Sequence, residues 1–144
     1  MRARGYTLLE ILIVITIIGI LAGIGFTEFR SWFLSSQVRE ASTQVAQDLE
    51  RVRSSALRTS LPASFTLSAD GKSYTLTISG VDRVVPVPNS VTLALDSGNP
   101  SKVITYSAPY GEVNVASRTL TFTKSNFSGS RTLYVVGVTG KVIQ

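Results

Sequence analysis

The sequence predicts an α+β protein: one long N-terminal α-helix, apolar in its first half, packed through its second half on a C-terminal antiparallel β domain. Three observations predict it. Residues 11–27 carry no charge and are mostly Ile, Leu and Val. Leu34, Val38, Ala41, Val45, Leu49, Val52 and Ala56 recur at spacings of three and four, the stripe of an amphipathic helix. Beyond Pro62 the composition turns to β-branched residues, Ser and turn formers, which is strand composition.

The helix comes first in the chain. No proline interrupts residues 6–61, so a single helix is expected to reach about Thr59, roughly 80 Å long at 1.5 Å per residue. Its first part is an apolar run of about 20 residues, enough to cross a bilayer. Gly19, Gly23 and Gly25 lie in that run, where they either let neighbouring helices approach closely or loosen the helix locally. Its second part presents the apolar stripe on one face and Arg39, Glu40, Gln47, Glu50 and Arg58 on the other. Ser60-Leu61-Pro62 ends it.

Eight strands are expected, at residues 63–68, 74–79, 83–87, 91–95, 103–107, 112–115, 119–123 and 131–138. Asp70-Gly71 reads as the turn of a hairpin between the first two. Pro86 and Pro88 point to an edge strand or an irregular crossing. Asn99-Pro100, Pro109-Tyr110-Gly111 and Ser128-Gly129-Ser130 mark further turns.

Composition narrows the chemistry. The 144 residues hold no cysteine and no histidine, which excludes disulfides, most zinc sites and most nucleophile–base pairs. No enzyme is expected, and no metal or other cofactor. Asp96-Ser97-Gly98-Asn99 has oxygen ligands but too few carboxylates for a good calcium loop. Asp82 and Glu112 have no evident acid–base partner. The formal charge is +5, from 14 basic and 9 acidic residues.

The segment Gly5-Tyr6-Thr7-Leu8-Leu9-Glu10, followed by an apolar run from Ile11 to Ala22, resembles the class III leader of type IV pilins and of the pseudopilins of type II secretion. The resemblance implies a pilin-like fold and a cleaved leader at residues 1–5. A prepilin peptidase would cut after Gly5 and methylate the new amine of Tyr6. Tyr6 stands where phenylalanine is usual, and Thr27 where many major pilins carry a proline, which argues against a major subunit. An ordinary secretory peptide is cut after its apolar core; here the cut precedes it, so the helix stays on the mature chain. Loss of Arg2 and Arg4 would leave 12 basic against 9 acidic residues, a charge of +3. Those two arginines favour a cytoplasmic N-terminus by the positive-inside rule. The organisation expected is a leader at 1–5, a transmembrane and polymerisation helix at 6–30, its amphipathic continuation at 31–60, and a periplasmic or extracellular β domain at 61–144.

Glu10 is a carboxylate at the start of a membrane segment, where charge costs about 2.5 kcal/mol or more at the centre and less near an interface. On position alone it either marks the cytoplasmic edge of the span or is a functional residue of unspecified role. The resemblance implies assembly: Glu10 would pair with the free amine of a neighbouring subunit's Tyr6. The order of a helix carrying Asp48-Leu49-Glu50-Arg51-Val52-Arg53, a β domain and the ending Gly140-Lys141-Val142 is similar to minor pilins and pseudopilins of the H and FimT-like group. That implies other pilin subunits, the peptidase, an inner-membrane assembly platform and the membrane itself as partners. Localisation would be single-pass in the inner membrane, then in a pilus or pseudopilus in the periplasm or on the cell surface.

One recognition feature is basic. Arg118, Lys124, Arg131 and Lys141 fall in the C-terminal third with Phe127 and Tyr134 between them. They are candidate DNA contacts, since cations neutralise phosphates and rings stack on bases. The plainer reading makes them a solvated face with Tyr134 in the sheet core. Three functions therefore stand open: a minor type IV pilin, a DNA-binding competence pilin of natural transformation, and a secretion pseudopilin.

Overall fold

The computed structural model describes residues 7–96, 102–113 and 117–143. One helix, α1, spans Leu8–Thr59, as the proline-free stretch requires. At its start the Glu10 N–H donates to Thr7 Oγ1 at 3.3 Å, satisfying one of the open N–H groups of the first turn. At its end Ser60 takes a φ of 51°, the left-handed conformation that commonly closes helices, and Pro62 cannot prolong it.

The chain divides into two compact units after Leu34. In the first, residues 7–33 are exposed throughout. An 18-residue window there reaches a mean hydropathy of 2.6, so α1 is long and apolar enough to cross a membrane. Two of its hydroxyls bond within the helix: Thr16 Oγ1 donates to the Leu12 carbonyl at 2.7 Å and Thr27 Oγ1 to the Ile24 carbonyl at 2.9 Å. That removes a desolvation cost which unpaired hydroxyls would carry into hydrocarbon.

The second unit, from Ser35 on, holds the core. Its strands are β1 (Ala63–Leu67), β2 (Ser73–Ile78), β3 (Val81–Pro86), β4 (Thr92–Leu95), β5 (Val103–Ser107), β6 (Glu112–Val113), β7 (Arg118–Thr123), β8 (Arg131–Val135) and β9 (Val142–Ile143). They form two antiparallel sheets, ordered β3-β2-β1-β5-β6 and β4-β7-β8-β9. All of the expected helix stripe except Leu34, which is half-buried, lies in the core. One apolar cluster joins that stripe to Phe65, Tyr74, Leu76, Ile104 and Tyr106 of the first sheet and Leu93, Leu120, Phe122 and Leu133 of the second. Fully burying a side chain such as Leu49 or Phe122 is worth about 1.5–3 kcal/mol.

The β domain is divided between two sheets, and the reason lies at the prolines. β3 is an edge strand, as Pro86 suggested. Val87 then donates its N–H to the Lys72 carbonyl at 2.8 Å, and a 3-10 turn at Pro88–Ser90 redirects the chain. β4 consequently pairs with β7 rather than with β3. The last long strand also stops short of residue 138, because Val138 adopts a φ of 68° in the turn that leads to β9. β9, outside the eight expected strands, pairs with β8 to make the last hairpin.

The expected β1–β2 hairpin is present. Asp70 Oδ1 accepts from Ser68 Oγ at 2.6 Å and from the Lys72 N–H at 3.0 Å. Those two hydrogen bonds, the hydroxyl's first, hold the Asp70 carboxyl below its usual pKa. Gly71 follows with a φ of 68°.

Candidate functional site

Gly5 and Tyr6, the expected cleavage and methylation positions, lie outside the described residues. Glu10 occupies the third helical position of α1. There the aligned N–H groups of the first turn favour a carboxylate. It is exposed, and among the described residues its carboxylate has no ion-pair or hydrogen-bond partner. The helix carries it beside Leu8, Leu9, Ile11 and Leu12, all exposed. An unpaired carboxylate bordering such a run is stabilised by any cation brought to it in a low-dielectric surrounding.

The four candidate basic residues do not form one patch. Residues Arg118 and Val135 face each other across β7 and β8, as do Phe122 and Arg131. Arg118 and Arg131 thus stand four residues apart along the ladder, about 13 Å. Lys124 lies just past the Arg131 end, whereas Lys141 lies at the Arg118 end, where its carbonyl accepts from the Val136 N–H at 2.8 Å. Two of the four are engaged internally. Arg118 points inward, its side chain 11% exposed, with Nη1 3.8 Å from Asp96 Oδ1. Lys124 donates its ammonium to the Asn89 carbonyl, and Asn89 Nδ2 donates to Glu40 Oε2 of α1 at 2.8 Å. Arg131 and Lys141 are exposed.

Tyr134 is not in the sheet core. Leu133 and Val135 take the inward positions of β8, and the two-residue alternation of a strand places Tyr134 on the outer face, 46% exposed. Phe127 is the ring that turns inward, half-buried against the core. Among the described residues no three Asp or Glu side chains converge on a cation position. A cleft of about 290 Å³ is lined by Arg51, Leu76, Ile78, Val81 and Arg83, with no paired acid and base.

The comparisons with known proteins agree with this architecture. Residues 1–26 match the family described as the prokaryotic N-terminal methylation motif. The type IV minor pilin FimU of Pseudomonas aeruginosa PAO1, in its P21 crystal form, superposes with a TM-score of 0.63 at 17% identity, covering 78% of this chain and 90% of that one. The fold is that of a type IV pilin. The P65 crystal form of FimU gives a TM-score of 0.59 at 18% identity, over 73% of this chain and 90% of the other. A search among curated proteins finds no match. Methylation motif and pilin fold thus coincide on one chain.

Within this pilin fold, sequence reasoning missed two features. Thr7-Leu8-Leu9-Glu10 has the spacing of a capping box, a local signal that was available and explains why α1 starts at Leu8. The tie from Lys124 through Asn89 to Glu40 had no such signal. It joins residues 35 and 49 positions apart in the chain, and Asn89 makes it from a φ of 59°.

Proposed function

We propose that this chain is a minor type IV pilin. A prepilin peptidase cuts after Gly5 and methylates Tyr6. The inner-membrane assembly platform then lifts the subunit, with its N-terminus cytoplasmic, from the membrane into a pilus. The carrying observation is the exposure of residues 8–33, a helix surface that the described residues leave uncovered, together with the N-terminal methylation motif matched over residues 1–26. Such an apolar surface requires lipid or neighbouring helices. The likeness to FimU supports a minor subunit. In the assembled filament Glu10 pairs with the methylated amine of Tyr6 of the next subunit.

The test compares Gly5→Val and Glu10→Ala with wild type by intact mass, membrane fractionation and recovery in sheared pili. Gly5→Val is expected to keep the leader and to be missing from pili. Glu10→Ala is expected to be processed and membrane-inserted yet depleted from pili. A Gly5→Val chain of mature mass that still assembles would overturn the reading.

A second reading is favoured by the exposure of Arg131, Tyr134 and Lys141: DNA contact by the β domain during natural transformation. Loss of transformation with pili retained, rescued by wild type but not by an Arg131→Ala/Lys141→Ala chain, would support it. Intact transformation in the deletion strain, together with a protein missing from the medium, would favour a secretion pseudopilin instead.

A further inference from the structure

We propose that Phe29, Trp32 and Phe33 form an interfacial anchor that seats α1 at the outer headgroup layer of a phospholipid bilayer; this rests on the membrane-spanning role proposed above. The three positions are spaced i, i+3 and i+4, so their rings share one helix face. Ring centroids lie 6.0 Å apart for Phe29 and Trp32 and 6.4 Å apart for Phe29 and Phe33. All three rings are exposed, by 61%, 65% and 49%. Among the described residues no other side chain covers them, although aromatic clusters of this size are normally buried.

The helix supplies a ruler. Residues 11–26 rise about 23 Å, most of the hydrocarbon thickness of roughly 30 Å. Thr27, Glu28 and Arg30 mark the return of polar and charged groups. Trp32 lies about 9 Å beyond Phe26, and helical side chains lean back toward the N-terminus. The rings therefore fall in the headgroup layer, roughly 5–7 Å thick on each side. That layer matches their chemistry. Trp and its neighbours present apolar bodies, while the indole N–H needs an acceptor that ester carbonyls and phosphates provide. Glu28 and Arg30 on the flanking faces can remain in water, Arg30 by extending its stem. A neighbouring pilin helix is the poorer occupant of this face. Close helix contacts favour small residues, and the glycines of α1 lie further back, at 19, 23 and 25.

Trp32 is the only tryptophan in the chain, so its fluorescence reports on this face alone. The full chain would be reconstituted in phosphatidylcholine vesicles and its insertion checked by retention through a carbonate wash. Trp32 emission is expected to be blue-shifted from that in water. Quenching by lipids brominated near the ester carbonyls should exceed, severalfold, quenching by lipids brominated near the chain ends. A Phe29→Ser/Phe33→Ser chain should stay in the vesicles while Trp32 becomes more accessible to aqueous iodide. Retention with Trp32 quenched by iodide like a free indole would overturn the anchor alone. So would shielding from both bromines and iodide, which would place a neighbouring helix on the face. Loss of the chain from washed vesicles would overturn the spanning reading and the anchor with it.

Discussion

The Tyr74 hydroxyl donates to Asp48 Oδ2 at 2.6 Å and accepts from Gln44 Nε2 at 3.2 Å, whereas the Tyr106 hydroxyl, equally deep in the core, finds no partner among the described residues. Removing the two oxygens should therefore have unlike effects. Tyr74→Phe leaves Asp48 and Gln44 without their shared partner and is expected to cost about 1–3 kcal/mol. Tyr106→Phe removes only an unsatisfied buried group and should be neutral or stabilising. Urea unfolding of the two variants decides it; equal losses would refute the contrast. Both phenols are held above the ordinary value. For Tyr74 burial is the larger cause and the Asp48 hydrogen bond the next; for Tyr106 burial leads, with the Glu50 charge behind it. The native state thus keeps these protons at a pH where the unfolded chain has begun to lose them. Their contribution is complete below about pH 10, the unfolded phenol pKa, and is lost as pH rises beyond it. Stability measured from pH 8 to 11 should fall at the alkaline end, less steeply in Tyr106→Phe.

Among the elements, the β1–β2 turn carries more than its hairpin. The Leu93 N–H of β4 donates to the Gly71 carbonyl at 2.9 Å, so this turn is one place where the backbone joins the two sheets; the Val138 N–H to the Val113 carbonyl, at 3.2 Å, is another. A Cβ on Gly71 would collide with the Leu93 carbonyl oxygen and press on Thr92 Cγ2 at 3.1 Å. Gly80 provides a control: its φ is 78°, similarly left-handed, yet nothing stands near its missing Cβ. Gly80→Ala is expected to cost about 1 kcal/mol through backbone strain alone, and Gly71→Ala clearly more because the collision with Leu93 adds to that strain, as thermal unfolding would show. Equal losses would mean that backbone strain alone matters and that the joint does not. Asp70-Gly71 was legible as a turn because its chemistry is local. The joint was not, because alternation within a strand tells which side chains are buried but never which strand lies alongside. The same limit hid the division of Arg118, Lys124, Arg131 and Lys141 between two ends of a sheet. It hid β9 for another reason, since two residues carry no period, and Val138 gives no hint of its positive φ. The stripe from Val38 to Ala56 was fully legible, because a 3.6-residue period needs no knowledge of what covers it.

At the scale of the whole molecule, every buried apolar side chain among the described residues lies between Val38 and Val135. The first unit, up to Leu34, contributes none. Covalent continuity of α1 therefore does not imply shared stability, and the second unit should fold without the first. A chain beginning at Ser35 loses only the half-buried Leu34 of the stripe and keeps Val38 to Ala56, both sheets and the Tyr74–Asp48 hydrogen bond. It also starts on Ser35-Ser36, either of which can cap the new helix end. What it loses is an exposed apolar surface, which in water only promotes association. The expected outcome is a soluble monomer that unfolds in one cooperative transition, with a midpoint within a few degrees of that of the intact chain in detergent. A truncated chain that is molten or aggregated would show instead that residues before Ser35 support the core through contacts absent from its buried set. The same experiment separates the two roles of α1. If the truncated chain is stable, the charge of Glu10 and the rings at Phe29, Trp32 and Phe33 are free of any duty to the fold. Defects in Glu10→Ala or in the ring variants then report on membrane and filament alone.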